Sequence, residues 1–405
     1  MKKGWEIKKL GDVCIVERGS SPRPIKDFIT DDEDGVNWIK IGDTKNIEKY
    51  IYTTKQKITN KGAEKSRFVE EGDFILSNSM SFGKPYIIKT KGYIHDGWFK
   101  LKLHDFVNTE YFYQLLSSPL VNDQFHNLAS GSVVKNISGD LVKKVILPIP
   151  PLPEQKRIVA ILDKAFTSIA SAKENAQQNL LNAKELFESY LQNVFENKGE
   201  DWEEKEIKDL TELVTKGSSP KWQGVNYVDE GGIFFLTSKN VGEGELLLNN
   251  KKYLQEKFNE IQKTSILKKG DILTNIVGAS IGRTAIFNLD EITNINQAVC
   301  LMRCNSEKVY NYYLMYLLNS PFFKSILHDN EVDNARANLS LTFFKNLAIP
   351  LPNIKEQKII VENIKSFSAE TKKLEVIYQQ KINDLEELKK SVLEKAFKGE
   401  LKMVN

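Results

Sequence analysis

Three short polar loops carry the residues best suited to chemistry, and each occurs twice. Gly19-Ser20-Ser21-Pro22-Arg23 is matched by Gly217-Ser218-Ser219-Pro220-Lys221-Trp222. The stretch from Ser77-Asn78-Ser79 to Gly83-Lys84 is matched by Asn275 through Gly282-Arg283. Ser130-Gly131-Ser132-Val133-Val134-Lys135-Asn136 is matched by Asp333-Asn334-Ala335-Arg336-Ala337-Asn338. Lys40 and Lys239 stand in a further pair of facing segments, Trp38–Asp43 and Phe234–Lys239. Arg and Lys can address guanine edges or phosphates, Asn can address adenine, and Ser hydroxyls or backbone amides can hold phosphate oxygens. The loops therefore suit contact with DNA. The plainer alternative is that Gly, Ser and Pro make turns, the cations solvate the surface, and duplication copies turns as faithfully as contacts.

Groups that would make or break bonds are missing. The only Pro-Pro pair, Pro150-Pro151, does not belong to the Asn/Asp-Pro-Pro-aromatic tetrapeptide of methylases, and no GxxxxGK[ST] phosphate loop occurs. Asp31-Asp32-Glu33-Asp34-Gly35 lacks the alternating ligands and final Glu of a calcium loop, and reads as a solvated turn. The histidines at 95, 104, 126 and 328 form no metal-binding pattern. Cys14, Cys300 and Cys304 are too few for a disulfide framework, and Cys300 and Cys304 have no second ligand pair for zinc, so buried thiols are expected.

With 41% apolar and 27% charged residues over 405, the chain reads as soluble and globular, large enough for two or three domains. A net charge of +3 permits a nucleic-acid partner without requiring one. Met1-Lys2-Lys3 leads into Trp-Glu-Ile-Lys-Lys rather than an apolar segment, so no signal peptide, no membrane span and a cytoplasmic location are expected.

The elements that must position the loops are duplicated as well. Leu147-Pro148-Ile149-Pro150-Pro151-Leu152-Pro153-Glu154-Gln155-Lys156 returns as Ile349-Pro350-Leu351-Pro352-Asn353-Ile354-Lys355-Glu356-Gln357-Lys358. A repeat near half the chain is a copied domain, not a solenoid unit. Residues 1–152 and 200–354 each alternate short β-type runs with turn signals, an α+β pattern. Strands are expected at 37–41, 73–76, 85–88 and 144–147, and near 233–237, 271–276 and 345–349. Helices are expected at 109–117, capped by Thr109, and near 308–319. Gly72-Asp73 and Gly270-Asp271 read as turns entering strands.

After each proline-rich exit comes a long helix, over 153–199 and 355–405, free of internal Pro and, along most of its length, of Gly. The first shows a seam of Leu162, Ala165, Ile169, Ala172, Ala176, Asn179, Ala183, Leu186 and Tyr190. The second shows Ile364, Phe367, Thr371, Leu374, Tyr378, Lys381, Leu385, Leu388 and Val392. At about 1.5 Å per residue such helices are roughly 65 Å long, more than one small domain buries. An antiparallel coiled coil is expected, with Asn179 and Lys381 as polar groups setting register.

In order, length and both exit motifs, Pro148–Gln155 and Pro350–Gln357, the whole chain resembles the specificity (S) subunit of type I restriction-modification systems. The resemblance implies two target-recognition domains, 1–152 and 200–354, separated by the helices 153–199 and 355–405 as a pseudo-two-fold antiparallel coiled coil. Each domain would read one half of a split double-stranded DNA target. The helices would set the spacing and dock two modification (methyltransferase) subunits, with restriction subunits joining them. S-adenosylmethionine, and ATP with magnesium for cleavage, would belong to those partners, and this chain would hold no cofactor or catalytic residue. Unlike contact residues in the two halves point to an asymmetric target. A coiled-coil protein scaffold that does not read DNA and a self-sufficient DNA-modifying enzyme are the competing functions.

Overall fold

The computed structural model describes residues 3–78, 83–129, 138–329 and 338–401. The chain forms two compact units, residues 1–176 with 380–405, and residues 177–379. The first unit is therefore discontinuous in sequence, whereas the second is one uninterrupted stretch.

In the first unit the strands Cys14–Arg18, Trp98–Leu103, Phe74–Ser77, Pro85–Ile88 and Tyr50–Ile51 form one sheet in that order. A second sheet runs Ile29–Thr30, Gln56–Ile58, Val36–Ile39, Gly92–Ile94, Arg67–Val69. Its Val36–Ile39 and Gly92–Ile94 strands are parallel, placing Trp38 opposite Tyr93 and Ile39 opposite Ile94. The first sheet packs Phe74, Leu76, Phe99 and Leu101 against the helix Thr109–Leu116, whose Tyr111, Phe112, Leu115 and Leu116 are buried. Asn108, not Thr109, caps this helix, accepting from the Tyr111 N–H; the Asn side chain one residue earlier reaches the orphan donor.

The second unit repeats the plan with fewer strands. Thr211–Lys216, Val299–Cys304, Ile272–Asn275 and Thr284–Ile286 form one sheet, and Tyr227–Val228, Tyr253–Leu254, Ile233–Leu236 and Thr293–Ile295 the other. The parallel pair recurs, with Leu236 opposite Ile295. In each unit an N-terminal strand closes on the exit strand: Glu6–Lys9 on Ile146–Ile149, and Glu203–Glu206 on Ala348–Leu351.

The two long helices span Leu152–Glu196 and Ile354–Phe397. In the first unit the start of the first helix meets the end of the second: Ile158 and Leu162 share a core with Leu393, Ala396 and Phe397. In the second unit Leu191 and Phe195 share a core with Val361 and Ile364. Opposite ends meet in both places, so the helices pair antiparallel. Phe397 lies edge-on to Tyr111, with centroids 5.5 Å apart, and Phe195 lies edge-on to Tyr313 at 5.6 Å. Each α+β domain is thus completed by the far end of the helix belonging to the other half.

The seam departs from expectation in its middle. Asn179 and Lys381 are exposed, and their neighbours Leu180 and Ile382 are the partly buried residues. Leu186, Leu374 and Leu388 also fall outside the seam, at 48%, 37% and 47% exposure. At 3.6 residues per turn a strict 3-4 count drifts, and the apolar side chain one position along takes the inward place while the polar group stays in water.

The exit motif owes its form to buried amides. The Gln155 side chain accepts from the Asn108 N–H at 2.7 Å and donates to the carbonyls of Phe106 (3.0 Å) and Pro150 (2.8 Å). Gln357 accepts from the Tyr310 N–H at 2.7 Å and donates to Lys308 (3.3 Å) and Pro352 (2.8 Å). The Tyr111 and Tyr313 hydroxyls donate to the carbonyls of Pro148 and Pro350 at 2.8 and 2.7 Å. Every long helix is therefore pinned at its first turn to the short helix of its own domain.

Candidate nucleic-acid interface

In both units the Gly-Ser-Ser-Pro loop leaves a strand and crosses the turn that joins the parallel strand to the long antiparallel one. That turn is His95-Asp96-Gly97 in the first unit and Asn296-Gln297-Ala298 in the second. The crossing is close enough to require glycine. A Cβ on Gly19 would stand 2.1 Å from the His95 carbonyl oxygen, and one on Gly217 would stand 1.7 Å from that of Ile295. The turn residues carry no Gly-Ser signature of their own, so loop composition passes over them; the unlike pairs His95-Asp96 and Asn296-Gln297 after matching Ile94 and Ile295 are the signal that could have found them.

Asp96 organises the first site. Its carboxylate accepts from the Ser21 hydroxyl at 2.7 Å and from Arg23 Nη2 at 3.0 Å, while its carbonyl accepts from Asn78 Nδ2 at 2.8 Å and Arg18 Nε at 3.3 Å. Partial burial pushes the Asp96 carboxyl up, but the Ser21 hydroxyl, the backbone and the nearby cations outweigh it and hold the group below the usual range. Ser20 ties the loop to the Lys65 carbonyl at 3.0 Å, and Pro22 is buried. The Arg23 side chain remains 81% exposed.

The second site has no acid at this point. The Ser218 hydroxyl accepts from Gln223 at 3.0 Å, and Pro220 begins a single 3-10 turn, Pro220–Gln223, that ends at a left-handed Gly224. This turn presents Lys221 and Trp222, the latter 80% exposed. Asn296 Oδ1 accepts from the Ala298 N–H at 3.2 Å. Gln297 is exposed, and its amide makes no hydrogen bond among the described residues.

The remaining residues divide between surface and interior. Lys84, Lys239, Arg283 and Asn338 are exposed, and Lys40 is half-buried. Ser77, Asn78 and Asn275, expected as DNA contacts, are instead buried at strand ends. Ser77 accepts from the Lys84 N–H at 3.2 Å; Asn275 donates to the Ser238 carbonyl at 2.9 Å and to the Ser280 hydroxyl at 3.2 Å, shaping the loops around them. The facing of the segments Trp38–Asp43 and Phe234–Lys239 shifts by one residue. Lys40 N–H bonds Asp43 and Thr237 N–H bonds Asn240, so Lys40 corresponds to Thr237 and Lys239 to Gly42. Ser79, Ser132, Lys135, Asn136 and Arg336 lie outside the described residues.

Gly72 and Gly270 adopt positive φ, and the aspartates after them do more than turn the chain. Asp73 pairs with Lys100 at 2.6 Å and Asp271 with Arg303 at 2.7 Å, both largely buried. Cys14 and Cys300 are buried and Cys304 is half-buried, with burial pushing all three thiols up to about 12.

Among the described residues no group of His, Cys, Asp or Glu is placed to hold a metal ion. Each site offers a rigid polar turn flanked by forked or point cations, which is apparatus for reading a surface. The family model for the type I restriction modification DNA specificity domain matches residues 2–182 and again 199–387. The chain belongs to that family. It is 25% identical to the type I restriction enzyme MjaVIII specificity subunit of Methanocaldococcus jannaschii, over 99% of this chain and 94% of that one. Against the EcoBI specificity subunit of Escherichia coli it is 28% identical, over 73% of this chain and 66% of the relative. A solved structure from work on assembly and conformational transition of the type I R-M system shares the fold with a TM-score of 0.75, at 19% identity over 99% of both chains. The HsdS subunit from Thermoanaerobacter tengcongensis shares it with a TM-score of 0.62, at 20% identity over 99% of this chain and 98% of that one. The chain is thus a DNA specificity subunit, and its two copies of the domain fit a target in two parts.

Proposed function

We propose that this specificity subunit reads an asymmetric, split DNA target through its two Gly-Ser-Ser-Pro crossings, and carries methyltransferase subunits on its paired helices. The observation that bears most weight is that duplicated frames present different chemistry at the same turn: Asp96 with Arg23 in one, Gln297 with Lys221 and Trp222 in the other. Two modification subunits, one for each repeat of the frame, follow from the duplication. S-adenosylmethionine belongs to them, and ATP with magnesium to restriction subunits that complete cleavage. Docking on the helices is supported by Leu374, Val376 and Ile377 of the second long helix, apolar side chains left exposed at 37%, 70% and 58%. Among the described residues no helix is long and apolar enough to cross a membrane.

The test is an exchange of residues 1–150 for the corresponding domain of a relative, followed by single-molecule methylation sequencing of a host expressing the assembled complex. One half-site should change and the other persist; two unchanged half-sites would refute the reading. The spacing role is tested by adding four residues within 153–197, which lengthens the helix by about 6 Å. That is near two base pairs at about 3.4 Å each, so the unspecified gap should grow while both half-sites remain.

A further inference from the structure

We infer that Asp96 is a positioning residue that holds Arg23 as a fork for a guanine in the half-site read by the first domain. The inference rests on the DNA-reading function above and assigns one base to it. Arg23 is largely exposed yet tethered through Nη2, and its other N–H donors make no hydrogen bond among the described residues. Two parallel N–H donors in one plane match the O6 and N7 acceptors on the major-groove edge of guanine.

The acid argues against a phosphate contact. Phosphate binding needs positive charge and tolerates any orientation, and a carboxylate 3.0 Å from the guanidinium subtracts from that charge. Base reading needs a fixed plane, and a carboxylate that is itself fixed supplies one. Asp96 is fixed: Ser21 holds one oxygen, and the backbone of the turn is tied to Arg18 and Asn78. The loop that carries Arg23 is fixed as well, by the glycine crossing, by the buried Pro22 and by the Ser20 bond to Lys65. In the second unit Lys221 has neither the fork nor the acid, so the same reading does not apply there.

The experiment uses the full chain assembled with its methyltransferase subunits, with the methylated motif determined by single-molecule sequencing and rates compared on duplexes varied at each position. The first half-site should contain an invariant guanine. Arg23→Lys keeps the charge and removes the fork; methylation of duplexes with another base at that one position should rise about 10- to 100-fold relative to the guanine duplex. Asp96→Asn should relax the same position by a smaller factor and leave the second half-site untouched, an effect on base preference that a merely structural residue would not have. A first half-site without guanine overturns the inference. So does an Arg23→Lys complex with unchanged base preference, or one weakened uniformly on all sequences with a salt slope lower by about 1, which marks a phosphate contact. Loss of the first domain's fold in Asp96→Asn, or a disturbed second half-site, removes the positioning role. A wild-type complex that methylates no split target defeats the DNA-reading function itself, whereas a split target left intact by Arg23→Lys defeats this inference alone.

Discussion

Where each long helix enters its domain, the two halves of the chain are copies; where each Gly-Ser-Ser-Pro loop crosses its turn, they are not. Gln155 and Gln357 make the same bonds to equivalent backbone groups, and Tyr111 and Tyr313 meet equivalent carbonyls and equivalent phenylalanines. At the crossings the backbone contact is retained by Gly19 and Gly217, yet the turn changes from His95-Asp96 to Asn296-Gln297. Selection on folding keeps groups that are buried and hydrogen-bonded, whereas groups facing a ligand are free to diverge with the ligand. The duplicated frame and the diverged turns together describe one module adapted to two different surfaces.

The sharpest way to break the first half of the comparison is at the swapped helix ends. Phe397→Ala should destabilise the first domain, and Phe195→Ala the second, each by about 3–5 kcal/mol. Hydrogen exchange should show faster opening in the helix Thr109–Leu116 for the former and in Asn311–Asn319 for the latter. If Phe397→Ala instead loosened only the second domain, the exchange of helix ends would be refuted. Next in size, Gln155→Leu and Gln357→Leu each orphan one backbone N–H and two carbonyls. Either should lower stability by about 2–4 kcal/mol, by similar amounts, as read from urea midpoints. A large effect at one and none at the other would show that the two helix starts are not energetically equivalent.

The second half of the comparison is sharpened at Gln297. If its free amide reads a base edge, Gln297→Ala should relax one position of the second half-site by about 1–3 kcal/mol and leave the first unchanged, seen as a degenerate position in the methylated motif. Uniform weakening across sequences would assign Gln297 to the backbone of the duplex.

Much of the frame is legible in the residues, because duplication is visible without any structure and the strands and helices follow strong local patterns. The helix starts at Leu152 and Ile354 fall one residue from the expected positions. The swapped ends are not legible: Phe195 and Phe397 continue an amphipathic pattern, and periodicity says which face is buried but not against which domain. The role of Gln155 and Gln357 is hidden for a similar reason, since a polar residue in a helical first turn reads as solvated until the carbonyls around it are located. In the sites, turn composition leads to Arg23, Lys221 and Trp222, but it also draws in Ser77, Asn78 and Asn275, whose short polar side chains serve buried strand ends. It passes over Asp96 and Gln297, because a three-residue connection between strands of different sheets carries too few residues to form a pattern.

The smallest expected effect separates the two turns by pH. His95 is largely buried, and that burial lowers its pKa below the ordinary value; Asp96 and Asp43 oppose the shift and Lys40 adds to it. Both ring nitrogens face backbone N–H groups, from Ile41 at 3.2 Å and Gly97 at 2.7 Å; the neutral ring can accept at one of them, whereas an imidazolium, a donor on both sides, would accept at neither. With the folded value below the unfolded one near 6.5, the unfolded chain binds the extra proton first as pH falls. Stability of the first domain is therefore full above that value, declines as pH drops below it, and levels off once the folded ring also titrates. The second domain has Asn296 at this place and no such group. Hydrogen exchange compared at pH 7.5 and 5.5, after correction for intrinsic rates, should show loss of protection in Trp98–Leu103 that His95→Asn abolishes, and no matching loss in Val299–Cys304. Equal acid sensitivity in the two strands, or its survival in His95→Asn, would place the titrating group elsewhere in the frame that the halves share.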